Sequence, residues 1–420
     1  MAWQIAAPFR YRHTMRTTLF CSAVDVADAG AAQVLSDACE RAGVDGLSIA
    51  TSYHAARDLH PHARGRRVRH LAPGLWLPID EQLWAGSAIA PQIAADAETA
   101  GAVTALVEEA RREGREVDGW TIFLHSDRQG PAAEVGAERN VFGDVYPEQL
   151  CPAQPESRAY AQTLARAVVQ AGMPTVIAES LHYHGLEHGL HHERFLFEPG
   201  EVVRFLLGLC LCDACCAAAA SEGVDSDRFR VEVARIVQAT FDTGEPAPGS
   251  VATLAAAGEL VDGAMAGWLR ARLNTVTTLI ADVASACHNE GGRLVVLDSS
   301  GAAKGYSDGD PQGDAAPAMA WRFGLDIAAI SAHCTVEAIA YAKSSARIAD
   351  DLAAYRALVG ETAPLGAIVR PFGVDCDSVE NLAEKLDTIR ATDAKRADFY
   401  HYGLMPLPTL DRIRAALGSS

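Results

Sequence analysis

Eight short runs of apolar, often β-branched residues are separated along this chain by longer amphipathic, alanine-rich segments. Short apolar runs bounded by turn residues are typical of strands that are buried on both faces, and the longer segments have the period of helices. The predicted strands are residues 17–24, 46–52, 120–125, 175–179, 293–298, 326–331, 366–370 and 398–402. Eight strands that alternate with helices predict an α/β protein of the (β/α)8 class, a TIM barrel.

The alternative architecture is an open, doubly wound sheet. Such a sheet would carry an early glycine-rich phosphate loop, and no G-x-G-x-x-G follows the first predicted strand. Helices are expected between the strands, among them residues 336–358 after the sixth. The sequence therefore predicts one barrel domain over residues 1–420.

Two connections are much longer than a barrel needs. Residues 54–118 form an insertion after the second predicted strand, and residues 181–292 form a lid-like helical insertion after the fourth. The second insertion contains a histidine cluster and a cysteine cluster. Segments that follow barrel strands lie at the carboxyl ends of the strands, where barrel active sites are built. We expect both insertions to cover the site.

The composition excludes several classes of partner. The formal net charge is −18, the pI is about 5.2, and no basic stripe is present, which argues against nucleic acid or an anionic membrane. The first residues lack the pattern of a signal peptide, and no apolar run reaches membrane-spanning length. These features predict a cytoplasmic protein.

Two predicted strands end in carboxylates, Glu179 on the fourth and Asp298 on the fifth. A charge at the tip of a buried strand costs several kcal/mol unless it is paired, solvated or used in chemistry. Neighbouring strand ends place two carboxylates at roughly 5–9 Å, the range of retaining and inverting glycosidases. We predict Glu179 as the general acid, because its apolar surroundings should raise its pKa, and Asp298 as the nucleophile or base.

Other polar side chains stand at or just beyond the predicted strand ends, as a site for a hydroxyl-rich ligand requires. The predicted substrate-binding residues are His54, His125, His182, Tyr183, His184, His333, Arg370, Tyr400 and His401. Asp25, Tyr53 and Asp127 occupy similar positions. Farther on, His188, His191 and His192 continue the histidine cluster, and His188 and His192 have the i, i+4 spacing that can chelate a metal.

Three stretches resemble segments of glycoside-hydrolase-like (β/α)8 proteins. Asn140-Val-Phe-Gly-Asp144 with Leu150-Cys-Pro-Ala-Gln-Pro-Glu-Ser-Arg-Ala-Tyr160 is similar to the segment before their fourth strand. Cys210-Leu-Cys-Asp-Ala-Cys215 and Phe399-Tyr-His-Tyr-Gly403 resemble their Cys-x-Cys-x-x-Cys segment and closing strand. The resemblance implies a barrel whose next strand carries the acidic residue, here Glu179. It implies a hydrolase that cleaves or transfers a glycosidic bond of a carbohydrate without a required cofactor. This chain has Ala178-Glu-Ser180 where Asp-x-Asp is commoner.

Two other functions fit the same residues. A divalent metal held by Glu179, Asp298, His125 and His333 would indicate a sugar isomerase or aldolase. A barrel that binds carbohydrate without turning it over would use the same polar rim.

The cysteines Cys210, Cys212, Cys215 and Cys216 lie within seven residues. One interpretation is a helix end rich in buried thiols. The other is a structural zinc site formed by Cys210, Cys212 and Cys215, completed by Cys151 or a histidine. Convergence of these thiols requires that the helix ends near Cys210 and that the chain turns at Asp213-Ala214.

Overall fold

A computed structural model describes residues 15–125, 134–186, 196–300 and 308–418. Eight parallel strands form a closed barrel, in which each strand pairs with the next and the last pairs with the first. The strands are β1 (Arg16–Cys21), β2 (Gly46–Tyr53), β3 (Val117–Ile122), β4 (Thr175–Glu179), β5 (Arg293–Asp298), β6 (Thr335–Ile339), β7 (Leu365–Val369) and β8 (Arg396–Phe399). The predicted (β/α)8 barrel is confirmed.

The predicted position of the sixth strand is wrong. Residues 326–331 contain the short helix Ile327–Ile330, which begins where the Asp326 side chain accepts a hydrogen bond from the backbone amide of Ala329 (3.0 Å). The sixth strand is β6, at the start of the segment expected to be helical. Glu337 in its centre interrupts the apolar run, so the sequence does not read as a buried strand.

Helices cover the outside of the barrel and fill its long connections. They are α1 (Ala23–Ala29), α2 (Ala31–Ser36), α3 (Ala102–Arg112), α4 (Pro155–Gln170), α5 (Gly200–Leu207), α6 (Asp213–Ser221), α7 (Ser226–Thr243), α8 (Leu254–Gly258), α9 (Ala264–Asn289), α10 (Ile327–Ile330), α11 (Ser345–Val359), α12 (Val379–Ala391) and α13 (Pro408–Gly418). A π-helical segment, Asp37–Ala42, extends α2, and 3-10 segments occur at Ala316–Phe323, Gly373–Asp375 and Tyr402–Leu404. Within the described ranges, no helix has both the length and the apolar character needed to cross a membrane.

Three connections at the carboxyl ends of the strands carry extra structure. The connection from β2 to β3 contains a hairpin, Ala56–Leu59 with Val68–Leu71, and a short strand, Gly74–Leu75, that pairs with β2. A second hairpin, Ala137–Arg139 with Val145–Leu150, lies between β3 and β4. The connection from β4 to β5 contains α5 to α9. The sequence does not predict the hairpin between β3 and β4.

Alternate side chains on each strand face the inside of the barrel. The interior layer is built from Phe20, Ala50, Trp120, Ile122, Ile177, Val295, Leu297, Ile339, Tyr341 and Ile368. The other face of each strand packs against the helices, in a larger cluster that includes Leu294 and Val296 of β5. The barrel interior is therefore a packed core, open to a site only at its end.

A buried ionic network closes the amino-terminal end of the barrel. The guanidinium of Arg396 is 2.8 Å from Asp398 Oδ2, 3.1 Å from Asp118 Oδ2 and 3.6 Å from Glu337 Oε1. Arg16 also binds Asp118, at 3.0 Å. Arg396 is 5% exposed and its three acidic partners are fully buried, so the carboxylates depend on it for charge compensation.

We predict that Arg396→Met lowers the free energy of unfolding by about 3–5 kcal/mol, because it leaves buried carboxylates without their cation. The matched control is Arg390→Met, which breaks the partly exposed pair of Arg390 with Asp387 on α12 and should cost less than about 1 kcal/mol. Urea unfolding of both variants measures the difference. Equal losses in the two variants would contradict a structural role for the network.

Candidate functional site

A cavity of about 780 Å³ opens at the carboxyl ends of the barrel strands. Its floor is the top of the barrel interior, and one wall comes from the connection between β4 and β5. Its lining includes Phe20, Tyr53, His54, Trp120, Glu179, His182, His184, Glu201, Arg204, Phe205, Arg272, Arg322, Tyr341 and Tyr400. A concave, mostly apolar pocket with a few polar groups at this end of a barrel is the arrangement of a small-molecule site.

Glu179 is the carboxylate at the floor of the cavity. It is the last residue of β4 and follows the inward-facing Ile177 by two positions, so it also lies on the inner face. The indole Nε1 of Trp120 donates a hydrogen bond to Glu179 Oε2 at 2.7 Å. Burial raises the pKa of Glu179, and His54 and the Trp120 hydrogen bond oppose that rise only in part. A carboxyl group with a raised pKa in a cavity can donate a proton near neutral pH.

Aromatic rings surround this carboxylate. The ring of Trp120 has its centroid 5.1 Å from that of Phe20, 5.0 Å from that of Tyr53 and 5.8 Å from that of Tyr400. Tyr341 stands 5.9 Å from Tyr400 and also lines the cavity. Such rings present flat apolar faces with polar edges, which suits a ligand whose ring has C–H faces and hydroxyl edges.

The structure brings four of the predicted histidines together. His54, His182 and His184 line the cavity. The His125 ring lies beside them, with its centroid 5.1 Å from that of His54 and 5.4 Å from that of His184. Imidazole nitrogens can donate or accept hydrogen bonds, so this group is suited to contact hydroxyl groups of a ligand.

Asp298 does not face the cavity, which corrects its predicted orientation. Tyr355 on α11 donates a hydrogen bond to Asp298 Oδ2 at 2.6 Å, and the Ser300 backbone amide donates to Oδ1 at 3.0 Å. The side chain is fully buried, between β5 and the helix layer. Its neighbours Leu297 and Ser299 line the cavity instead. Asp298 and Glu179 therefore lie on opposite faces of the sheet, and they do not share a site.

Two predicted binding residues also point elsewhere. Tyr183 is 1% exposed, and its hydroxyl contacts Cys215 Sγ at 3.4 Å, behind the cavity wall. His333 is exposed and precedes β6, so it lies at the amino-terminal end of the barrel. The misplaced sixth strand explains the error, because a residue after residues 326–331 was expected at the carboxyl end.

Arg370 and His401 lie close to the cavity without lining it. The Arg370 guanidinium is 4.5 Å from the Tyr341 ring centroid and is paired with Asp375. His401 is buried, with Nε2 3.8 Å from Asp25 Oδ2. Two predicted binding residues, Tyr400 and His401, follow β8, and of these Tyr400 lines the cavity.

Asp25 is the centre of a second polar cluster, outside the barrel interior. His60 Nδ1 is 3.2 Å from Asp25 Oδ1, and His60 Nε2 is 3.9 Å from Asp58 Oδ2. Burial opposes protonation of His60, but the nearby carboxylates of Asp25 and Asp58 prevail and raise its pKa to about 9. Because Asp25 follows β1 and His60 belongs to the β2–β3 hairpin region, this pair attaches the hairpin to the barrel.

Some cavity residues are not singled out by the sequence. Trp120 is in a predicted strand, and its large aromatic side chain is the one sequence feature that could have indicated a place in the site. Arg272 on α9 and Arg322 reach the cavity from helical segments that are far away in sequence. Periodicity gives no indication of which residues of a long insertion return to the site. Asp127, His188, His191 and His192 lie outside the described residues.

The predicted thiol cluster is present and includes a fourth cysteine. The sulfurs of Cys151, Cys210, Cys212 and Cys215 all lie within 4.8 Å of one another, and all four residues are buried. Cys216 is outside the group, with its sulfur directed toward the Leu211 carbonyl. The turn between helices spans residues 208–212, and α6 begins at Asp213, so the expected turn at Asp213-Ala214 lies a few residues too late.

Comparison with known proteins agrees with this fold. No protein-family model matches the chain, and no curated protein matches its sequence. The structure is similar to the catalytic domain of a β-amylase from Paenibacillus polymyxa, with a TM-score of 0.50, 10% identity and coverage of 94% of both chains. It is also similar to a β-galactosidase from the psychrophilic Marinomonas ef1, with a TM-score of 0.50 and 9% identity, over 96% of this chain and 59% of that one. The chain shares the (β/α)8 fold with these two enzymes.

The His60 cluster generates a prediction on stability against pH. The folded-state pKa of about 9 lies above the value of about 6.5 for an unfolded histidine. Its contribution is therefore fully present below pH 6.5 and is lost as the pH rises through 9. We expect His60→Gln to remove on the order of 1–3 kcal/mol of stability at pH 6 and much less at pH 9.5. Urea unfolding at both pH values measures this, with the exposed His70→Gln as control. A pH-independent loss in His60→Gln would contradict the assignment.

Proposed function

We propose that this protein hydrolyses or transfers a glycosidic bond, with Glu179 as the general acid. The observation that carries the proposal is the position of Glu179, half-buried at the floor of a cavity at the carboxyl ends of the strands and hydrogen-bonded by the Trp120 indole. Burial raises the pKa of this carboxyl, the direction that the role of a general acid requires.

The residues around Glu179 fit the steps of such a reaction. Protonated Glu179 donates its proton to the oxygen of the leaving group, and its carboxylate then takes a proton from the incoming water or acceptor hydroxyl. Trp120 orients the carboxyl through its N–H group. The aromatic rings pack against the sugar ring, and His54, His182 and His184 bind its hydroxyl groups.

The second carboxylate of the proposed reaction differs from the one that the sequence predicts. Asp298 is held by Tyr355 and Ser300 on the outer face of β5 and cannot reach a ligand in the cavity. Glu201, in the first turn of α5, is the other carboxylate on the lining of the cavity within the described ranges. We therefore propose Glu201 as the group that stabilises positive charge at the anomeric carbon.

The metal ligands predicted for a metal-dependent isomerase or aldolase do not come together in the structure. Asp298 faces the helix layer and His333 lies at the opposite end of the barrel, so neither converges with Glu179 and His125. A barrel that only binds carbohydrate remains as an outcome of the activity test, in which a glycan binds and is not turned over.

We predict that Glu179→Gln lowers kcat/KM about 10²–10⁴-fold while the protein stays folded. The loss should be larger on a substrate with a sugar leaving group than on a nitrophenyl glycoside, because the poorer leaving group needs the proton more. The experiment is a screen of aryl glycosides and polysaccharides, followed by initial rates on the best substrate.

The matched control is Asp298→Asn, at the end of the neighbouring strand. It should keep turnover within the same order of magnitude and lower the free energy of unfolding by about 1–3 kcal/mol, because it weakens the hydrogen bonds from Tyr355 and Ser300. If a folded Asp298→Asn variant lost as much activity as Glu179→Gln, the outward orientation of Asp298 would not describe the active enzyme.

A further prediction concerns the pH profile. The Trp120 N–H group stabilises ionised Glu179 and so lowers its pKa. Trp120→Phe removes that hydrogen bond and so raises the pKa of Glu179. We expect the basic limb of the pH profile of kcat/KM to move to higher pH, by up to about one unit. Phe20→Leu changes the same aromatic group without touching the carboxylate and should leave the limb in place. A limb that does not move in Trp120→Phe would mean that another group is the acid.

A further inference from the structure

We propose that Cys151, Cys210, Cys212 and Cys215 bind one Zn²⁺ in tetrahedral coordination, at a site separate from the proposed chemistry. The Cys151 sulfur is 3.7 Å from that of Cys212 and 3.4 Å from that of Cys215, and all four sulfurs lie within 4.8 Å of one another. A zinc ion with four thiolates at about 2.3 Å has sulfurs about 3.8 Å apart. Within the described ranges, these four cysteines are the group of three or more His, Cys, Asp or Glu side chains whose ligand atoms lie close enough together to hold one metal ion.

The four thiols come from three separate elements, which lets them surround one ion. Cys151 directly follows the hairpin strand Val145–Leu150, Cys210 and Cys212 lie in the turn between α5 and α6, and Cys215 is in the first turn of α6. The sequence separation of Cys151 from Cys212 is 61 residues. The ligands therefore do not all come from one helical turn, which could not surround a metal.

The backbone around the sulfurs is arranged for thiolates. The amide of Arg139 donates a hydrogen bond to Cys210 Sγ at 3.3 Å, and the amide of Leu211 returns one to the Arg139 carbonyl at 2.7 Å. Amide donors to ligand sulfurs are the usual outer shell of thiolate metal sites. They also join the hairpin between β3 and β4 to the turn that carries Cys210.

The buried guanidinium of Arg272 lies over the ring of Tyr183, whose hydroxyl contacts the thiol cluster. The Arg272 guanidinium is 3.9 Å from the Tyr183 ring centroid, and the Tyr183 hydroxyl is 3.4 Å from Cys215 Sγ. Arg272 is 3% exposed, and its Nε and Nη1 have no hydrogen-bond partner in the described part of the chain. Four thiolates and one Zn²⁺ carry a net charge of −2, which would offset the buried guanidinium.

The proposed metal would stabilise the wall of the cavity. Tyr183, which touches Cys215, stands between the cavity residues His182 and His184. Helix α5, which carries Arg204 and Phe205 into the cavity, ends three residues before Cys210. One ion would thus hold the segment after β4, the end of α5 and the β3–β4 hairpin in a single arrangement.

The first test uses the wild-type protein, purified with reductant and without chelator. Elemental analysis should find about one equivalent of zinc, and a mercurial thiol reagent should release it as the four ligand thiols react. Protein refolded with Co²⁺ should show thiolate-to-cobalt charge transfer and the visible bands of tetrahedral Co²⁺. Less than about a tenth of an equivalent of metal after growth in zinc-supplemented medium, or a mass 2 Da lower that reveals a disulfide among these cysteines, would overturn the proposal.

The second test compares variants. Cys212→Ser should lose the zinc and lower Tm by at least about 5 °C, whereas Cys287→Ser, a fully buried thiol on α9, should keep one equivalent. Zinc retained in Cys212→Ser would overturn the ligand assignment. If Cys212→Ser does not fold, Cys212→His, which keeps a metal-binding side chain, should retain zinc and fold, and its failure to bind zinc while folded would count against the site. None of these readouts depends on glycosidase activity, so they stand apart from the test of Glu179.

Discussion

The two-residue period of a β-strand decides which side chains of this barrel reach the site. Ile177 and Val295 are paired in register between β4 and β5, and both face the interior. Two residues beyond Ile177 is Glu179, and two beyond Val295 is Leu297. Asp298 is one residue later, so it faces the helices. Two carboxylates that end neighbouring strands thus lie on opposite faces, because Asp298 is one residue farther along β5 than the position level with Glu179.

The same inner face carries charges at both ends of the barrel, with different consequences. On β8 and its continuation, Arg396 and Asp398 face inward at the base, and Tyr400 faces inward at the cavity. At the base every acidic group lies near a guanidinium, so the charges contribute to the structure. At the cavity Glu179 has an indole and a nearby imidazole but no guanidinium partner among its described hydrogen bonds, and its pKa is raised. The carboxylates of the base and the carboxylate proposed as the acid therefore differ in their partners.

The part of this structure that the sequence predicts is the part that depends on local pattern. Seven of the eight predicted strands overlap an observed strand, and β6 is missed because Glu337, buried by a contact with Arg396 59 residues away, interrupts its apolar run. His182 and His184, which follow β4, line the cavity, since residues that follow parallel strands meet at one end of the barrel. The phase of a strand buried on both faces has no sequence signature, which is why Glu179 and Asp298 look equivalent until the register is known.

The contacts around Tyr183 connect the two proposals without making either depend on the other. Its hydroxyl reaches the thiol cluster, its ring lies under Arg272, and its chain neighbours His182 and His184 line the cavity. A long connection between β4 and β5 has a high entropic cost of ordering, and its position relative to Glu179 must be defined to a fraction of an ångström for proton transfer. Binding of one ion by residues from the hairpin, the turn and α6 would reduce the freedom of that wall at a point remote from the reacting atoms. The proposed catalytic carboxylate is on a strand of the barrel and the proposed ligand contacts are on a long insertion, and the thiol cluster lies where a bound ion would fix one relative to the other.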